Sequence, residues 1–270
     1  SSSDASAMMR GKAGTSVALM IQRAGIKDLM EFEIERAIIE LKSVNYYGVI
    51  PGTNIGYVRL SRFAEETSHE LREAVTALNE QNVGSLIFDL RGNGGGLLDQ
   101  AKETAELFLE RGREIVYTKG RFENSERNYY SDRAPIFTPD KPLVILADEG
   151  TASASEIVAG AIQDWDRGLI VGANTYGKGL VQQIFNISND GSMALKLTTA
   201  KYYVPSGRCI QKADKQGKNF DDHPDMLEDD SAETSDTMTV SEKEIYYTNG
   251  GRVVYGGGGI VPDSSTRPES

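Results

Sequence analysis

Two stretches of the chain carry almost nothing but apolar side chains over the length of one strand: SLIFDL at 85–90 and PLVILA at 142–147. Apolar runs this short are the mark of strands covered on both faces, as in a mainly parallel sheet. Each run ends in a turn of small residues, RGNGGG at 91–96 and DEGTAS at 148–153. Each turn leads into a segment with helical spacing, near Leu98–Glu110 and over Ser155 to Trp165. Upstream, the spacing predicts strands at Tyr46–Ile50 and Ile55–Leu60 and a helix over Glu65 to Gln81, with Leu71, Val75 and Leu78 on one face. Downstream, Leu169–Val171 reads as a further strand. Strand, glycine turn and helix, repeated in this order, predict an α/β layered core with a mainly parallel sheet.

The flanks read differently. Residues 5–10 look like a helix end stopped by Gly11, and 15–23 and 30–39 alternate with strand period around a hairpin turn at Ala24-Gly25. A helix end and one hairpin cannot make a core. Residues 1–40 are therefore expected to be the tail of a smaller domain, and 41–270 the main one. Within the latter, a strand at Glu114–Tyr117 precedes a polar loop that runs to Pro135. Past residue 182, short strands are expected in QQIFNIS, MALKLTT and KYYVPSG, and again in EIYYT and GRVVYG, a small C-terminal β region. Residues 212–237 are polar and acidic, with nothing to bury, and read as a solvated loop.

Composition narrows the function. A net charge of −11 argues against nucleic acid as a partner, because phosphate binding needs basic surface. A single cysteine, Cys209, excludes an internal disulfide framework and a cysteine-rich metal site. No apolar run approaches the roughly 18–20 residues that span a bilayer. The opening SSSDASAMMRGKAG has no charged segment followed by an apolar one, so no signal peptide is read there. The chain is expected to be a fragment whose targeting segment lies outside it.

The chemistry concentrates between Asp148 and Gln182. The two histidines have unpromising settings, His69 on the exposed side of a helix and His223 in the acidic loop, which disfavours a Ser-His-Asp triad. No His/Asp/Glu spacing resembles a hydrolytic zinc site, and neither a metal nor another cofactor is expected. A Ser-Lys pair remains. A serine hydroxyl attacks poorly until a base takes its proton, and a lysine can do so only when neutral. Its ordinary pKa of about 10.4 must then fall by roughly 2–3 through burial or like charge. Thr151, Ser153 and Ser155 stand at a helix mouth, and Lys178 stands between two glycines, where flanking apolar strands are expected to wall it in. GKG alone fits a surface turn equally well. GNGGG fits an oxyanion site, a phosphate cradle or a plain turn, although the usual phosphate-loop spacings are absent.

Taken jointly, FDLRGNGGG (88–96), GTASASEI (150–157), YGKGLVQQ (176–183) and the closing GGGGIVPD (256–263) resemble the carboxyl-terminal processing peptidases, also called tail-specific proteases. The resemblance covers about residues 5–263. It implies that Ser153 is the nucleophile, with Lys178, 25 residues later, as general base and Gln182 positioning the lysine. It further implies oxyanion-hole amides at Gly96 and Ala154, and a core related to crotonase and Clp protease. The first 40 residues would then be the C-terminal remnant of a PDZ domain. The implied activity is endopeptidase cleavage near the C-terminus of proteins with apolar, unstructured tails, in the bacterial envelope or periplasm. A homo-oligomer or an adaptor protein is left open by the sequence. Two other readings stay in view: a non-catalytic module that holds peptide or lipid on the same core, and an acyl-CoA enzyme of the crotonase type.

Overall fold

A computed structural model describes residues 2–38, 41–121, 125–188, 190–212 and 244–266. It divides into two compact units, Ser1–Lys42 and Ser43–Ser270. The first holds α1 (Ser2–Met9) and an antiparallel hairpin of β1 (Ser16–Ile21) and β2 (Met30–Glu35), in register from Ser16 opposite Glu35 to Ile21 opposite Met30. Arg36 closes it, donating to the carbonyls of Met8, Met9 and Ser16 and to Thr15 Oγ1. Met20, Leu29, Ile34 and Ile38 stay exposed, so the unit buries no core of its own. The helix end and hairpin are those read from the sequence; one helix and two strands do not define a domain type.

The second unit is built on a six-stranded sheet of order β14-β9-β8-β5-β4-β3. Its strands are β3 (Val44–Val49), β4 (Ile55–Leu60), β5 (Ser85–Asp89), β8 (Leu143–Ala147), β9 (Leu169–Gly172) and β14 (Ser264–Ser265). All neighbours are parallel except β3 against β4. Parallel neighbours require crossovers, and helices α2 (Thr67–Glu80), α3 (Leu98–Ala105) and α4 (Ala154–Asp164) supply them. Val58, Leu60, Phe88 and Ile145 from the sheet, with Leu71, Leu78, Ile157 and Ile162 from the helices, form a core with almost no exposure. Leu86, Phe88, Leu143 and Ile145 are buried on the face that joins this core, whereas Ile87, Val144 and Leu146 on the other face are only half-buried, so the expectation of two fully covered faces holds for one face alone.

A second, antiparallel sheet runs β10-β11-β6-β7, from β6 (Glu114–Lys119), β7 (Arg127–Tyr130), β10 (Leu180–Asn186) and β11 (Ala194–Tyr203). A hairpin of β12 (Ile245–Tyr247) and β13 (Val253–Tyr255) lies apart from it. Three boundaries depart from the sequence reading. The polar loop before Pro135 contains β7, whose RNYY forms a strand because β6 offers it a pairing edge. MALKLTT and KYYVPSG merge into the single long β11, which pairs with β10 through its first part and with β6 through its last. The third helix ends at Ala105, and Leu107–Leu109 tuck into the core as a turn. Apart from Lys212, the acidic loop at 212–237, with His223, lies outside the described residues. Among the described residues no helix is long and apolar enough to cross a membrane.

Candidate active site

In the six-stranded sheet β5, β8 and β9 are neighbours and run the same way, so their carboxyl ends deliver three loops to one edge. The loop after β5 is the glycine turn, that after β8 holds the serines, and that after β9 holds Lys178. Ligand sites of open α/β sheets form outside such carboxyl ends.

The three hydroxyls after β8 have different fates. Thr151 is buried and donates to the Leu90 carbonyl, and Ser155 is buried and donates to the Asn93 carbonyl. Ser153 is half-buried, and its hydroxyl donates no hydrogen bond among the described residues. Its backbone sits at φ 56°, ψ −115°, where L side chains rarely go. Such strain costs about 1–3 kcal/mol and persists only where the surroundings impose it. Here α4 begins at the next residue with every side chain buried, so the serine is held at the mouth of a fixed helix.

The glycine turn is stitched to that serine. Asn93 is fully buried; its side chain accepts from Gly95 N–H at 2.9 Å and donates to the Leu60 carbonyl at 3.0 Å. Its own carbonyl takes the N–H of Ala152 at 2.9 Å. Gly95 has φ 95°, and a Cβ there would lie 2.6 Å from the Ala152 carbonyl oxygen and 2.8 Å from Ser153 Cβ. Only glycine allows this approach. Gly96 (φ 148°) runs equally close to Phe63. The N–H groups of Gly96 and Ala154 take no acceptor among the described residues, so both are free to meet one. Below the turn, Asp89 accepts from Arg91 at 2.6 and 2.9 Å and from Tyr57 Oη at 2.6 Å. Burial would raise the Asp89 carboxyl, but these hydrogen bonds and the Arg91 charge outweigh it and hold it below the ordinary carboxylate range.

The third loop meets the second at a residue that sequence reasoning missed. Glu156, in the first turn of α4, is fully buried. One carboxylate oxygen accepts Ser153 N–H at 2.8 Å and Lys178 N–H at 2.9 Å; the other accepts Gly177 N–H at 2.7 Å and Thr175 Oγ1 at 2.5 Å. One oxygen thus holds the backbones of Ser153 and Lys178 within two hydrogen-bond lengths of each other. Burial raises the Glu156 carboxyl above its ordinary value, against the pull of these donors. A signal was present: serine followed three residues later by glutamate is the capping-box spacing.

The side chains of Lys178 and Gln182 are both exposed. The expected apolar wall around the lysine is therefore not what the structure shows. Leu180 is buried and Val181 half-buried, but β10 then leaves the body of the unit and is exposed from Gln182 to Asn186. Gln182 lies opposite Thr198, just past an irregularity in the pairing, and makes no hydrogen bond to Lys178 among the described residues. His69 is exposed and its Nε2 lies 3.4 Å from a carboxylate oxygen of Glu73. Among the described residues no cluster of three or more His, Cys, Asp and Glu side chains could hold a metal ion.

Comparison with known proteins points the same way. The sequence profile of peptidase family S41 matches residues 54–221. A carboxy-terminal-processing protease of Bartonella bacilliformis is 43% identical over 207 residues, which are 75% of this chain and 46% of that protein. A carboxyl-terminal-processing protease of Synechocystis is 41% identical over 211 residues, 77% of this chain and 48% of that protein. Among solved structures, a photosystem II D1 C-terminal processing protease matches with a TM-score of 0.60 at 27% identity, covering 96% of this chain and 57% of that one. The chain spans about half the length of the curated relatives it matches.

Proposed function

The chain belongs to peptidase family S41, and on that premise we propose that it carries the catalytic core of a serine endopeptidase that cuts proteins near their C-termini. Ser153 is the nucleophile, Lys178 the general base, and the amides of Gly96 and Ala154 receive the oxyanion. Gln182 helps to orient the lysine once substrate is bound. The observation that carries this reading is the junction of the serine loop and the lysine loop at the Glu156 carboxylate, with Ser153 alone among the nearby hydroxyls of Thr151, Ser153 and Ser155 donating no hydrogen bond among the described residues.

The chemistry follows from the parts. Lys178 Nζ, in its neutral form, takes the proton of the Ser153 hydroxyl as Oγ attacks the scissile carbonyl. The carbonyl oxygen becomes an anion between two backbone donors that need not reorganise to meet it, an effect worth roughly 2.7–4 kcal/mol per donor in hydrolases. The intermediate collapses to an acyl-enzyme, the departing amine takes the proton from the lysine, and water repeats the sequence to free the serine. Lys178 is exposed, and a bound polypeptide would cover it and exclude water from the site. The relatives named for carboxyl-terminal processing support protein C-termini as the place of cleavage; unstructured, apolar tails as substrates and a place in the cell envelope are part of the proposal itself.

The test is cleavage of an unfolded protein with an apolar tail by the wild-type chain, Ser153→Ala and Lys178→Ala, across pH 6 to 10. Both variants should lose on the order of 10⁴-fold in kcat or more. The wild-type rate should rise with pH, as expected of a general base that acts only when neutral. Variants that cut as fast as wild type would remove the dyad and favour a binding module on this core.

A further inference from the structure

Glycines on both sides of Lys178 let the turn form, yet they also leave its backbone loose. Its neighbours on β10 do not cage the lysine either, since the strand is exposed from Gln182 onward. Something else must fix the direction in which Lys178 points. Glu156 claims the N–H groups of Gly177 and Lys178, but its two oxygens reach no further. The next N–H in line, that of Gly179, is taken by the side-chain oxygen of Gln211 at 2.8 Å. Three consecutive backbone donors are thus each held by a side-chain acceptor.

Gln211 is well placed for this. It is half-buried, and its Nε2 donates to the Lys212 carbonyl at 3.2 Å, which orients the amide oxygen toward Gly179. The main chain around it reinforces the grip: Lys212 N–H donates to the Gly177 carbonyl at 2.8 Å, and Tyr202 N–H to the Gly179 carbonyl at 2.7 Å. The fit is close enough that a Cβ on Gly179 would lie 2.5 Å from Gln211 N. The segment that carries Gln211 is itself anchored. Gly259 N–H donates to the Ile210 carbonyl, and buried Arg208 pairs with Asp164 at the far end of α4 at 2.8 Å. The turn is therefore gripped from the nucleophile helix on one side and from 208–212 on the other.

We propose that Gln211 is a positioning residue for the reaction: its amide oxygen fixes the backbone of the Lys178 turn and so the line from Lys178 Nζ to Ser153. This rests on the Ser-Lys reading above. A base displaced by about 1 Å can lose up to about 10²-fold in rate, so the effect belongs to kcat rather than to substrate binding.

The experiment compares wild type, Ser153→Ala, Gln211→Leu and Gln211→Glu. Leucine keeps approximate size without an acceptor, whereas glutamate keeps the acceptor and adds a negative charge beside the lysine. Thermal unfolding, kcat and KM on an unfolded protein, and the rate of covalent labelling by a fluorophosphonate are followed across pH 6 to 10; labelling reads serine activation without a polypeptide substrate. Gln211→Leu should lower kcat and the labelling rate roughly tenfold, with KM within about twofold. Gln211→Glu should recover the rate at high pH, with its profile displaced upward because the new charge favours the protonated lysine. Gln211→Leu at wild-type rates, or changed only in melting temperature, overturns the assignment. So does a glutamate variant no faster than leucine with the wild-type profile. The two readings fail separately: a wild type that is not labelled, or a Ser153→Ala that is, removes the dyad and this proposal with it. Labelling confined to chains with Ser153 and unchanged by Gln211→Leu removes this proposal alone.

Discussion

The two halves of the candidate site are held in place by different forces. On the side of the proposed nucleophile, Ser153 precedes a helix of which every residue is buried, packed with the buried face of the sheet into one core. Position there comes from packing, which is non-directional, cumulative and spread over many side chains. On the side of the proposed base, Lys178 lies just before a strand that soon leaves the body of the protein, and its turn is held by directed hydrogen bonds, to the side chains of Glu156 and Gln211 and from the main chain of Tyr202 and Lys212. Position there is directional and rests on few atoms. The comparison teaches that stability and activity are separable in this molecule. Losses in the packed half should appear mainly as unfolding, and losses in the clasped half mainly as slower chemistry.

Glu156→Gln should break the clasped half most severely. A glutamine offers one acceptor where two oxygens now receive four donors, and its own NH₂ faces at least one N–H. The loss in kcat should be on the order of 10²-fold, measured per folded molecule after titrating intact sites. A glutamine variant within a few-fold of wild type would show that the carboxylate does not set the geometry. Ile162→Ala probes the packed half: this side chain is fully buried two turns beyond Ser153. Urea denaturation should show a cost of about 2–5 kcal/mol, while kcat of the folded fraction stays within a few-fold. The reverse result, little unfolding but slow chemistry, would collapse the distinction.

The smallest effect concerns pH. The Asp89 carboxyl, held below its ordinary value, contributes stability that is full above the unfolded pKa near 3.9 and lost as pH falls through the folded one. Glu156, raised by burial, acts with the opposite sign: its contribution is full below the ordinary glutamate value and lost as pH rises through the raised one. Urea titrations of wild type and Asp89→Asn from pH 6 to 2.5 should therefore differ in slope below about pH 4, with the variant losing less stability. Parallel curves would mean that the Arg91 pairing contributes no pH dependence.

Sequence patterning carried the packed half well and the clasped half poorly, for a physical reason. Apolar runs such as SLIFDL and PLVILA declare strands because burial acts on every second or every residue, and glycines mark the turns that strands must make. Ser153 and Lys178 could be singled out because the motifs around them are compact in sequence. The partners that hold them are not compact. Asn93 lies 60 residues before Ser153, and Gln211 lies 33 residues after Lys178. Glu156 looks locally like an ordinary helix-start glutamate; that its carboxylate also reaches Gly177 and Lys178 is a tertiary fact. The expected apolar wall around Lys178 failed in the same way: Leu180 and Val181 do turn inward, but the fate of a strand beyond them depends on which edge it pairs with.

The last described strand, β14, adds to the sheet beside β9, and the residues just before it reach into the site. Ile260 N–H donates to the hydroxyl of Thr175, the same hydroxyl that bonds Glu156, and Ile260 accepts from Thr175 N–H. Asp263 likewise receives Ile170 N–H at the start of β9. On a ribosome, Ser153 and Lys178 emerge roughly 80–110 residues before these partners, which at about 5–20 residues per second is a wait of several seconds or more. During that interval Thr175 and Ile170 lack these partners, and the loop that carries Lys178 rests on fewer contacts. Sequence order thus acts as a delay: the contacts that 260–263 make with β9 and the loop after it form only after Ser153 and Lys178 have both been made.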